Sequence, residues 1–80
     1  MPEIKILSRD GVVPAGEDHV LVRTRLAPNN SVVTDIICTK DDVEVKTITD
    51  RQISPDMAIQ KASEIADEHD VFYIFVKDEL

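Results

Sequence analysis

Ser54-Pro55-Asp56 heads the one helical pattern in a chain otherwise patterned for strands, so any fold must be built around a single helix. A serine hydroxyl can accept from the free N–H groups of a first turn. Proline suits the first helical position, where its missing N–H is not needed, and an acid in that turn complements the helix dipole. The helix is expected from about Pro55 to His69. At about 100° per residue, Ala58, Ile59, Ala62, Ile65, Ala66 and His69 share one face, while Asp56, Gln60, Lys61, Glu64, Asp67 and Glu68 cover the rest. A stripe this rich in alanine calls for close packing against something flat.

Four strand-like runs precede it: Glu3–Ser8, His19–Leu26, Val32–Thr39 and Val43–Thr49. They are rich in Val, Ile and Thr and alternate by two. Turn residues separate them at Asp10-Gly11, Pro14-Ala15-Gly16, Pro28-Asn29-Asn30 and Lys40-Asp41-Asp42. After the helix, Val71 to Val76 is apolar without alternation, as in a strand covered on both faces. The expected fold is one α+β domain over residues 1–80, β-β-β-β-α-β. It is a four-stranded antiparallel meander, then one helix on one sheet face and a fifth strand. That last strand can lie beside the first, antiparallel to it, or beside the fourth through a parallel crossover. Its apolar character favours an interior place.

Eighty residues, 42% of them hydrophobic, bury only a thin core. Cys38 is the only cysteine, which excludes an internal disulfide, and His19 and His69 have no metal-ligand spacing around them. Neither a metal nor a cofactor is expected. Association is the remaining supplement to so small a core.

The second sheet face makes the same case. One helix covers one face, yet alternation puts Leu7, Leu21, Val33, Ile37 and one set from the last strand on the other. The expectation is that a homodimer or a protein partner buries this face. Cations gather there too. Lys5 and Arg9 would neighbour Arg23 and Arg25 if the first two strands pair, and with Leu21 and Ile37 they form the candidate binding surface. An anion site would use those cations. Pairing with Asp35, Glu44 or acids of a partner would instead leave them as ordinary surface charge, and the lack of aromatic side chains on these two strands favours that plainer role.

No residue pattern points to catalysis. His19 follows Glu17-Asp18 at a loop end and His69 closes the helix, but neither has a convergent partner. Cys38 lies in an apolar run and reads as a small buried hydrophobe. Phosphate-cradling glycine loops, nucleophile elbows and calcium loops are absent from the sequence.

The net charge is −7, from sixteen acidic and nine basic residues, which opposes nucleic-acid and anionic-membrane partners. The start Met1-Pro2-Glu3-Ile4-Lys5 has no signal-peptide character, and no apolar run is long enough to span a bilayer. Two signals of the secretory pathway, the closing Lys77-Asp78-Glu79-Leu80 and the acceptor Asn29-Asn30-Ser31, are therefore taken as coincidental, and a cytoplasmic location is expected. The chain reads as a small non-enzymatic interaction or regulatory protein. A small-ligand or anion-binding domain, with or without a minor activity at a subunit interface, is the alternative. An acidic inhibitor of a nucleic-acid-binding protein is a further one.

Overall fold

A computed structural model describes residues 2–14, 16–51 and 53–80. Ala15, part of the turn expected at Pro14-Ala15-Gly16, lies outside the described residues. The elements are β1 (Glu3–Leu7), β2 (His19–Leu26), β3 (Val32–Lys40), β4 (Val43–Arg51), α1 (Pro55–Glu68) and β5 (Tyr73–Asp78). The α+β class and the order of elements are those expected from the sequence.

The strand order corrects the meander. It is β1-β5-β2-β3-β4 in one mixed sheet. Only β2, β3 and β4 form an antiparallel meander, and β5 lies between β1 and β2, parallel to both. The last strand does lie beside the first, as one expected placement had it, but parallel to it rather than antiparallel, and its interior position holds. The physical reason is burial. β5 is apolar on both faces, with Ile74 fully buried under the helix and Phe75 buried on the opposite side, and a strand of that kind belongs inside a sheet. β1 is left as an edge, with Glu3 through Ile6 all exposed.

Parallel β1 and β2 cannot be joined by a hairpin, because the chain must return along the sheet before β2 begins. The described residues between Ser8 and Asp18 lie on that return. Ser8 to Gly11 form its first turn, closed by the Gly11 N–H donating to the Ser8 carbonyl at 2.9 Å. A Cβ on Gly11 would meet three Ser8 atoms at 3.1 Å, so only glycine fits there without displacing its neighbour.

The helix begins as the sequence requires: the Ser54 hydroxyl accepts from the Met57 N–H at 3.3 Å. Its C-terminus closes through Asp70, at φ 56°, with the Val71 N–H donating to the Ala66 carbonyl at 2.8 Å. This is the left-handed stop usually given to glycine. The amino group of Lys40 donates to the carbonyl of His69 at 2.7 Å and satisfies one of the free carbonyls at the negative end of the dipole.

α1 packs across β2, β3 and β5, meets β4 through the side-chain pairs Lys61–Asp50 and Glu68–Lys46, and does not reach β1. Ala58, Ala62, Ile65 and Ala66 meet Val20, Val22, Ile36, Cys38 and Ile74 to form the core. Asp41 and Asp42 link β3 to β4, and both have positive φ, at 53° and 62°, as a two-residue hairpin turn demands. Among the described residues, no helix is long and apolar enough to cross a membrane.

Candidate functional site on the open sheet face

Cross-strand registers place the side chains of the face opposite α1 in rows. Lys77, Arg23, Asp35 and Thr49 stand in one row across β5, β2, β3 and β4, with Leu7 of β1 beside Lys77. The next row runs from Lys5 through Phe75, Leu21 and Ile37 to Thr47. A third holds His19, Thr39 and Glu44. One end of the face is therefore basic, the middle apolar and the other end polar.

Asp35 organises the basic end. Its carboxylate is 2% exposed and accepts from Arg25 Nε at 2.6 Å, Arg23 Nη2 at 2.8 Å and Thr49 Oγ1 at 2.7 Å. Burial alone would push this carboxyl up. The hydrogen bonds from Arg25, Thr49 and Arg23, together with the charge of Arg25, outweigh it and hold Asp35 well below the usual carboxylate range. The same contacts raise Arg25. Glu79 reaches the outer side, 3.7 Å from Arg23 and 3.9 Å from Lys77. The arginine heads are thus held in fixed positions, although a third of each side chain still faces solvent.

The return segment makes a wall. Gly11, Val12 and Val13 border a cavity of about 300 Å³ floored by Leu21 and Ile37 and flanked by Leu7, Arg23 and Lys77, with His19, Thr39 and Glu44 at its far end. The apolar content of this face is less open than the alternation implied. Phe75 and Val33 are buried, and Leu7, Leu21 and Ile37 are half-buried. The His19 ring stands edge-on to Phe75, with centroids 5.7 Å apart, and its Nδ1 bonds the Glu17 carbonyl at 2.8 Å. Asp18 pins the end of the segment by accepting from the Asp41 N–H at 2.9 Å.

The expected surface is thus assembled in part. Leu21 and Ile37 are a cross-strand pair on the floor, Arg23 is on the rim, and Arg25 joins it through Asp35 without lining the cavity. Lys5 and Arg9 are not neighbours of the arginines through strand pairing, because β5 intervenes. Lys5 lies over the Tyr73 ring at 4.7 Å, and Arg9 is exposed in the turn after β1. Sequence reasoning missed Lys77, which belongs to β5, and the wall at Gly11–Val13. A lone acid inside the apolar run Val32–Cys38 was the available sign that Asp35 is a hub.

Cys38 lies on the helix side, fully buried, where burial and then the charge of Asp18 push its thiol up. A second cavity, of about 220 Å³, lies under the first turns of α1 between Ile53, Ile59, Val22, Val32 and Val76. Its lining is almost wholly apolar, and none of the expected site residues touches it. No protein-family model, curated protein or solved structure matches this chain.

Proposed function

We propose that this chain is a small non-enzymatic interaction protein of the cytoplasm, acting as a homodimer or with a protein partner, and that its partner-binding site is the groove on the open sheet face. The observation that carries this reading is the order of chemistry along the groove. Arg23 and Lys77 stand at one end, Leu21 and Ile37 in the middle, and Thr39, His19 and Glu44 at the other. Four residues of β2 separate the ends, about 14 Å of extended chain. The groove fits an extended peptide with an acidic, an apolar and a basic residue at alternate positions. A small zwitterion such as a free amino acid cannot reach both ends at once.

The titratable groups nearby support binding over chemistry. Asp35 is saturated by three donors, His19 is tied to a backbone carbonyl, and Cys38 is on the other side of the sheet. The rim is fixed before any partner arrives, which reduces the ordering cost of association.

Peptide selection tests the proposal. Random peptides are selected on the wild-type protein and screened against Val12→Asp and Lys77→Glu, two changes at the groove that leave the core intact. The expected peptides carry the acidic–apolar–basic alternation and lose at least about tenfold in affinity to either variant. Peptides that bind all three proteins equally count against the groove. Stabilisation by simple aliphatic carboxylates, with no peptide selected, would replace the peptide reading by the small-ligand one.

A further inference from the structure

We propose that β1 is a self-association edge, at which two copies of this chain pair their β1 strands antiparallel about a two-fold axis through Ile4. The inference rests on reading the chain as an interaction protein, and it assigns the second copy to a surface separate from the groove.

The backbone of β1 is half-used. The Glu3 N–H donates to the Phe72 carbonyl at 2.7 Å, so Glu3 turns its backbone groups towards β5. In a regular strand alternate residues point to opposite edges, which aims the N–H and C=O of Ile4 and Ile6 at the free edge. The side chains there are also uncovered. α1 does not reach β1, leaving Ile4 46% and Ile6 76% exposed on the helix side of the sheet. On the opposite side Glu3 and Lys5 are exposed, carry opposite charge, and take part in no ion pair among the described residues.

Charge then selects the register. An axis through Lys5 sets the two Lys5 side chains against each other, a repulsive pair. An axis through Ile6 sets Lys5 opposite Leu7 and Glu3 opposite Arg9, which lies in the turn beyond β1, so neither charge gains a partner within the strand. An axis through Ile4 sets Glu3 of each copy opposite Lys5 of the other, two ion pairs in the close, non-hydrogen-bonded positions where side chains lie nearest. The backbone agrees with this register. The two Ile4 residues exchange both hydrogen bonds, and each Ile6 N–H meets the Pro2 carbonyl of the second copy. Pro2 has no N–H to return, so each Ile6 carbonyl is left to water. The other edge is differently built. β4 is bulged where Cys38 and Thr39 pair with it, and its Lys46 and Asp50 are engaged by Glu68 and Lys61 of the helix. Such an edge resists pairing.

Five residues per strand make a small interface, so the equilibrium is expected to be weak. Sedimentation equilibrium at low salt, from roughly 10 µM to 1 mM, reads it directly. The expected mass rises with concentration from 9.0 kDa towards twice that value. Glu3→Lys alone and Lys5→Glu alone each set like charges opposite and weaken the dimer at least about tenfold. An equimolar mixture of the two single variants forms a mixed dimer, and the double exchange in one chain restores self-association. All these side chains are exposed, and unchanged circular dichroism verifies each fold. Wild-type protein that stays at 9.0 kDa throughout overturns the inference, as does a dimer indifferent to the charge exchanges. A monomer that still binds groove peptides loses this inference and keeps the groove. A charge-sensitive dimer that binds no peptide does the reverse.

Discussion

Arg25 reaches across from β2 to Asp35 on β3, its Nε 2.6 Å from Oδ2. Asp35 also holds Arg23 and Thr49, so one buried carboxylate ties three strands together and sets the position of the groove rim. Replacing it with asparagine keeps the shape but removes the charge and part of the acceptor capacity. Asp35→Asn is expected to lower unfolding stability by about 2 kcal/mol in urea titration, the value of hydrogen bonds to charged groups. It should also weaken groove binding, because the arginines lose their fixed positions.

The same residue sets an acid limb. Its folded carboxyl titrates below its unfolded value, so the unfolded chain binds the proton first as pH falls. The stabilisation is fully present above the ordinary carboxylate range, about pH 4, and is lost as pH drops through the depressed folded value. Wild-type stability should therefore fall below about pH 4 more steeply than that of Asp35→Asn, and the two should converge in strong acid. Parallel curves would show that Asp35 gains nothing from its partners.

Asp70 stands where the helix ends in a left-handed turn, at φ 56°, a conformation that costs less for glycine than for any residue with a Cβ. Asp70→Gly is expected to raise stability by roughly 0.5–1 kcal/mol, after allowing for the greater freedom of glycine in the unfolded chain. Asp70→Val should lower it by at least as much. Thermal unfolding of the two variants measures both.

The alanines of α1 set the distance between helix and sheet. Ala62 is fully buried and packs within the core cluster. Ala62→Leu is expected to cost about 2–3 kcal/mol by overpacking, whereas Gln60→Leu on the exposed face should stay within about 0.5 kcal/mol. Equal effects would mean that the helix can shift outward freely.

Much of this was legible in the residues. Ser54, Pro55 and the alanine stripe announced α1, and period-two alternation put Leu21, Arg23, Arg25 and Ile37 on one face. Local pattern does not carry strand order, which depends on pairings between residues far apart in the chain. The meander expectation failed at β1 for that reason. A sign was present: residues 8–18 are too many for a tight hairpin and enough for a return along the sheet. The groove was missed with it, because its wall is that return segment. Lys77 was hidden for another reason. The apolar run ends at Val76, whereas β5 continues through Lys77 and Asp78 and the Glu79 N–H donates to the Thr24 carbonyl at 2.8 Å.

The groove itself is best examined by nitrogen–proton correlation spectra of the protein during titration with a peptide bearing glutamate, leucine and lysine at alternate positions. Shift changes should gather at Val12, Val13, Leu21, Ile37, Thr39 and Lys77 and vanish in Lys77→Glu. Changes gathered on α1 or around the cavity beneath it, or none at millimolar peptide, would contradict a binding site on the open face.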